Sequence, residues 1–243
     1  MLKKILTYTV AAIALGYLGF ALLFLTGKEE GELCKGIDIE IHDKGYGAIS
    51  VEEIEELIQR KNGKLAGEPL DEIDCSKLEL LINSLSVVEE CQCFKTHKGF
   101  VGMNITCKIP ILQVYDIDGR EFCIDKKGDI IEGINSAVYL PVASGFINRT
   151  MAKKELLVLA EFLNSDRFWN EQIEQIFFTA KGEILLIPRI GNHTIELGKI
   201  DNIEKKLDKL RKFYEKGLNT VGWNKYKRIN IEFEEQVICT KKQ

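Results

Sequence analysis

From Ile5 to Thr26 the chain carries no charged side chain, and Lys3 and Lys4 stand directly before this run. About 20 apolar residues rising about 1.5 Å each cover the roughly 30 Å hydrocarbon core of a bilayer. The run therefore reads as one transmembrane helix over residues 5–26, and whatever follows must fold on one side of a membrane. The two lysines keep a short tail, residues 1–4, in the cytoplasm. That sends the rest of the chain outward, beginning with a linker over residues 27–35. A cleaved signal peptide is the competing reading. It fits less well, because its apolar core is usually about 7–15 residues long and no small-x-small cleavage site follows Thr26. Gly16 and Gly19 lack the spacing of a helix-dimerisation motif.

The remainder has the composition of an ordinary globular protein. Lys and Arg number 33 against 37 Asp and Glu, a net charge of -4. No segment is strongly basic, so the phosphate attraction on which nucleic-acid binding rests is missing. Seven cysteines occur. An odd number cannot all pair within one chain, and the density is low for a disulfide scaffold. Cys107 and Cys123 fall where strand side chains are buried. Cys91 and Cys93, two apart on a strand, share a face. A metal site built from Cys91, Cys93 and His97 lacks the usual gap between thiolates and a fourth ligand. Buried free thiols fit best, with one or two disulfides as the alternative.

Hydrophobic periodicity then gives two folded regions, residues 36–110 and 111–243, in an α+β chain. In the first, Ile37, Ile39 and Ile41 alternate with Asp38 and Glu40, the period of a half-buried strand. Ser50 and Glu53 make a capping box ahead of a helix with Val51, Ile54, Leu57 and Ile58 on one face, ending at Asn62–Gly63. A second helix starts at Ser76 or Lys77 and carries Leu78, Leu81, Ile82 and Leu85. Strands over 87–95 and 100–107 follow, turning at His97–Lys98–Gly99. The order is β-α-α-β-β, two helices covering a three-stranded sheet. The second region predicts a β domain, a meander of antiparallel strands with helices on one side. Strands are expected at 111–115, around Phe122 and Ile124, and at 138–142, 174–179, 183–187, 193–197, 228–233 and 236–240. Helices are expected over 153–164 and 168–173. A further helix starts at an Asp201 cap, buries Ile203, Leu207, Leu210 and Tyr214, and ends before Gly217.

Several stretches of this chain resemble the FtsQ/DivIB family of bacterial cell-division proteins. Lys108-Ile109-Pro110-Ile111, then Val114, Asp118-Gly119, Phe122-Cys123-Ile124-Asp125 and Gly128, are similar to the family's junction between two domains. The segment 187–193, Ile187-Pro188-Arg189-Ile190-Gly191-Asn192-His193, with Leu197-Gly198, resembles the β-domain signature of its Bacteroidetes-like branch. So do Gly222-Trp223-Asn224-Lys225-Tyr226, Ile229-Asn230-Ile231 and the run from Gln236 to Lys242. The order and spacing of these motifs carry the resemblance over almost the whole length.

The resemblance implies a short cytoplasmic tail, one inner-membrane anchor, a POTRA domain and a β domain in the periplasm at the division septum. It implies a scaffold of the divisome that binds the single-pass proteins FtsB and FtsL. Through them it helps recruit and regulate the septal peptidoglycan synthase complex. The route implied is pairing of a partner strand onto an exposed sheet edge. In this chain the matching edge is the C-terminal hairpin, with Ile229, Ile231 and Phe233 on one strand and Gln236 and Val237 on the next. Core filling is the competing role for these five side chains. An envelope POTRA-type chaperone or assembly factor is the alternative function, although such proteins carry several modules or a following barrel.

Catalysis has little to stand on. None of the three histidines, His42, His97 and His193, is flanked by a nucleophile or metal motif. Ser144–Gly145 is not a nucleophile elbow, and glycine-rich phosphate cradles are absent. Trp169 and Trp223 suit a partly buried core better than a sugar platform. The sequons at Asn104, Asn148 and Asn192 fit chance occurrence. No cofactor, metal or small-molecule substrate is expected.

Overall fold

The computed structural model describes residues 13, 15–18, 20, 32–44, 46–134 and 139–242. Most of the expected span over residues 5–26, and the tail before it, lie outside the described residues. Those of the span that are described are helical and exposed. Among the described residues no helix is long and apolar enough to cross a membrane.

The N-terminal unit comprises β1 (Gly36–His42), α1 (Val51–Asn62), α2 (Cys75–Asn83), β2 (Val88–Lys95) and β3 (Phe100–Cys107). Local chemistry sets its helix ends. The Ser50 hydroxyl accepts from the Glu53 N–H at 3.2 Å, and the Glu53 carboxylate accepts from the Ser50 N–H at 2.8 Å, so two donors left over by the helix start are satisfied reciprocally. Gly63, at φ 86, supplies the backbone turn that ends α1. The sheet order is β1-β3-β2, with β1 parallel and β2 antiparallel to β3. Ile54, Ile58, Leu78 and Ile82 from the helices close over Val101, Met103 and Ile105 of the central strand.

The outer edge of β2 is covered by side chains rather than by a strand. Asn83 of α2 brackets Cys91, accepting from its N–H at 2.8 Å and donating to its C=O at 3.5 Å. Glu79, one turn earlier, accepts from the Cys93 N–H at 2.8 Å. Two helix side chains thereby take the hydrogen-bonding groups that an edge strand otherwise presents to other chains.

The C-terminal unit holds β4 (Pro110–Tyr115), β5 (Glu121–Asp125), β6 (Ile130–Ile131), β7 (Val142–Gly145), β8 (Ile173–Phe178), β9 (Ile184–Pro188), β10 (Thr194–Gly198), β11 (Tyr226–Asn230) and β12 (Ile238–Lys241). Among the described residues these form one nine-stranded sheet of order β12-β11-β10-β9-β8-β7-β4-β5-β6. Helix α3 (Leu157–Ser165) is entered through Arg149–Met151 and a π turn, Ala152–Leu156, and is followed by α4 (Arg167–Gln172). Helix α5 (Ile203–Phe213) continues through a second π turn, Tyr214–Leu218, into Asn219–Val221. One sheet face, with Ile176, Phe178, Leu186, Ile195 and Ile229, is buried under Leu159, Leu163, Leu207 and Leu210 of these helices.

Four expectations need correction. The sheet is mixed, not antiparallel: β4–β7, β7–β8 and β10–β11 are parallel pairs. The reason is topological for two of them. Helices α3 and α4 lie between β7 and β8, and α5 between β10 and β11. A helical crossover returns the chain to the same end of the sheet, so the next strand runs in the same direction. The strand expected over 138–142 begins instead at Val142, and Val138 lies outside the described residues. Asp201 does not cap α5. Asn202 occupies that position with a left-handed backbone, φ 47, while the Asp201 carboxylate pairs with Lys206. Gly217 does not end the helix, because the π turn carries Leu218 into the core before Gly222, at φ 93, stops it.

The two units share a core. Cys123 of β5 and Ile131 of β6 are buried in the hydrophobic cluster of the N-terminal unit, with Ile134 and Leu140 packed against it. The Ser86 hydroxyl donates to the Glu132 C=O at 3.3 Å and accepts from the Glu132 N–H at 3.1 Å. Lys108 pairs with Asp129 at 3.1 Å. The β5–β6 end of the large sheet is therefore set against the first unit.

Asn83→Ala removes both bonds to Cys91 and leaves a partly buried N–H without its acceptor. It is expected to lower unfolding free energy by about 1–3 kcal/mol, read as a shifted urea midpoint at unchanged slope. An unshifted midpoint would show that the β2 edge is held by other contacts.

Candidate functional site

At the far end of the large sheet, β12 pairs with β11 in antiparallel register, Arg228 with Thr240, Ile229 with Cys239 and Asn230 with Ile238. Among the described residues no strand lies on its other side. The side chains of Ile238, Thr240 and Lys241 are exposed, Ile238 at 46 %.

The hairpin is anchored from below. Ile229 and Ile231 are completely buried. Each removes apolar surface worth about 1.5–3 kcal/mol from water, which fixes β11 to the core. The Ile231 N–H donates to the Glu196 C=O at 3.0 Å. The Glu196 carboxylate accepts from Asn230 at 2.9 Å and pairs with Arg228 at 3.2 Å. Lys209 of α5 reaches across to the loop after β11, donating to the carbonyls of Ile231 at 3.0 Å, Glu234 at 3.5 Å and Phe233. Burial, and then the neighbouring Lys206 ammonium, push Lys209 below the usual lysine range, with Glu234 opposing. An ammonium has three donors and no acceptor, so it suits a loop turning its carbonyls inward.

Beside this end lies a buried aromatic cluster. His193 Nε2 and the Tyr214 hydroxyl are hydrogen-bonded at 2.8 Å, and the Tyr214 ring stands 4.8 Å from Trp223 and 6.2 Å from Trp169. His193 is 4 % exposed, and its Nδ1 has no hydrogen-bond partner. Burial, reinforced by the Lys242 charge, pushes the His193 imidazole down to about 4. Burial pushes the Tyr214 hydroxyl up. A neutral imidazole hydrogen-bonded to a neutral phenol holds the two side chains in register inside the core. Among the described residues no group of three or more His, Cys, Asp or Glu side chains could hold a metal.

The five residues singled out from sequence fall in different places. Only Ile229 lies within a strand, since β11 stops at Asn230 and β12 starts at Ile238. The side chains of Ile229 and Ile231 face the core. Phe233, 48 % exposed, and Gln236 lie on the surface of the connecting loop, and Val237 is half-buried against the core. Sequence reasoning missed Lys209 and Ile238. Lys209 looks like any lysine on the polar side of an amphipathic helix. Ile238 is the apolar residue that follows Val237, and only the register tells which of the two faces out. Trp169, expected as a partly buried core residue, is 1 % exposed and wholly within the core.

Comparison with known families agrees with this architecture. Residues 109–240, more than half of the chain, match the family described as FtsQ/DivIB, C-terminal related. Residues 32–106 match the POTRA-like domain. No curated protein matches the chain.

His193 binds its proton near the ordinary 6.5 when unfolded and near about 4 when folded. Its contribution is therefore complete above pH 6.5 and is lost as pH falls toward 4, by about 3 kcal/mol in all. Unfolding free energy measured from pH 7 to pH 4.5 should fall more steeply for the natural chain than for His193→Gln. Parallel profiles would contradict a buried neutral imidazole.

Proposed function

The chain belongs to the FtsQ/DivIB family of cell-division scaffold proteins, and we propose that it captures its division partners by strand pairing at β12. In this reading it is a non-catalytic, single-pass inner-membrane protein, its N-terminus cytoplasmic and its bulk periplasmic at the septum. FtsB- and FtsL-like proteins are its partners, and through them it helps recruit and regulate septal peptidoglycan synthesis. The observation that carries the proposal is the asymmetry of the large sheet. Its β5–β6 end is packed on the POTRA-like unit, and among the described residues its β12 end has a strand on one side only.

An incoming strand gains main-chain hydrogen bonds along β12, and its alternate side chains meet whatever the edge displays. Ile238 supplies an apolar contact there, and Phe233 and Gln236 extend the surface along the loop, with Val237 at the entry to the strand. Ile229 and Ile231 serve the same contact indirectly, by holding β11, and so β12, in place. The domain boundaries that fit this division of labour are a POTRA domain over 36–110 and a β domain over 111–243.

A charge at the edge tests the reading. Ile238→Glu places a carboxylate on an already exposed position, so the melting midpoint should stay within about 1 °C of the natural chain while capture of an FtsB-like partner weakens about tenfold or more. Full affinity in the variant would remove strand pairing at β12. A fluorescent fusion should form midcell rings that depend on other division proteins, and a uniform envelope signal would speak against the scaffold role.

A further inference from the structure

We infer that Cys75 and Cys93 are a redox pair that closes into a disulfide between helix α2 and strand β2. Three contacts fix the register of helix against strand. Asn83 brackets Cys91, Glu79 takes the Cys93 N–H at 2.8 Å, and Lys95 Nζ reaches the Asp71 carbonyl, before the helix, at 3.0 Å. Positions 83, 79 and 71 thus lie against 91, 93 and 95. Residues four apart in a helix share a face, so Cys75, one turn before Glu79, falls between 71 and 79 and against the stretch from Cys93 to Lys95. The Cys75 side chain lies close enough to the Cys93 thiol to act on its ionisation.

Both thiols are half-buried, whereas Cys34, Cys91, Cys107 and Cys123 are buried. The pair is thus within reach of a solvent-borne reagent. Both are free thiols, and burial, then the neighbouring Cys75 thiol, push the Cys93 thiol well above its ordinary range. The oxidant is a disulfide, small or protein-borne. One thiol of the pair loses its proton and attacks a sulfur of that disulfide, giving a mixed disulfide and one released thiolate. The second thiol, also deprotonated, displaces the remaining half. Two electrons pass from the pair to the oxidant, and the two protons end on its two released thiols.

The product fastens α2 across the outer edge of β2. In the dithiol form Asn83 and Glu79 cover that edge through hydrogen bonds alone. In the disulfide form a covalent bond keeps them there. The inference is independent of partner capture at β12, which lies in the other unit.

Incubating the full chain with oxidised glutathione, alkylating the remaining thiols under denaturing conditions and mapping unreduced peptides tests it. The expected product is one linkage joining the Cys75 peptide to the peptide that carries Cys93. It should persist in Cys91→Ser and Cys239→Ser and be lost in Cys75→Ser and Cys93→Ser. Alkylation of both Cys75 and Cys93 in the treated natural chain would overturn the pair. So would a linkage that survives Cys93→Ser but not Cys91→Ser.

Discussion

An open β-sheet cannot satisfy the backbone of its two outermost strands by itself, and each leaves a row of N–H and C=O groups facing outward. The architecture of this chain is organised around that constraint. In the N-terminal unit, Asn83 and Glu79 take the groups of β2. In the large sheet the β6 end is packed against the N-terminal core, with Ser86 bonded to both backbone groups of Glu132, the residue after β6. Among the described residues β12 has a strand on one side only, as does β1 in the small sheet. We propose that the β12 edge is the one kept for pairing.

A usable edge must also be held still, because an incoming strand otherwise bears the entropy of ordering it. The grip comes from three directions. Ile229 and Ile231 pull β11 into the core, Glu196 ties it to β10, and Lys209 gathers the carbonyls of the loop leading to β12. The His193–Tyr214 pair and the tryptophans around it fill the space beside this end. Of the residues near the edge, those most deeply buried hold β11 to the core, and Ile238, Thr240 and Lys241 are exposed.

The sequence made the elements legible but not their arrangement. The Ser50–Glu53 capping box, the Ile37–Ile39–Ile41 alternation and the buried stripe of α5 are local signals, and local hydrogen bonding and amphipathicity realised them nearly residue for residue. Strand partners are set by long-range packing, which period-two patterning does not encode. A strand–helix–strand order around 153–173 and again around 203–214 nevertheless carried the signature of parallel crossovers. The π turns escaped notice because an extra residue per turn leaves little trace in an apolar stripe, and so Gly217 looked like a terminator. The hairpin was located correctly to within a few residues, but the inward or outward sense of each side chain hinged on a register that slips by one with every misplaced boundary. That is why Ile231 was a candidate contact and Ile238 was not.

Amide hydrogen exchange with and without a soluble FtsB-like partner addresses the central claim at the backbone groups themselves. Strand pairing at β12 predicts new protection concentrated in residues 238–241, with β1 and β6 unchanged. Protection that leaves 238–241 untouched while the partner is bound would place the contact elsewhere and contradict the account.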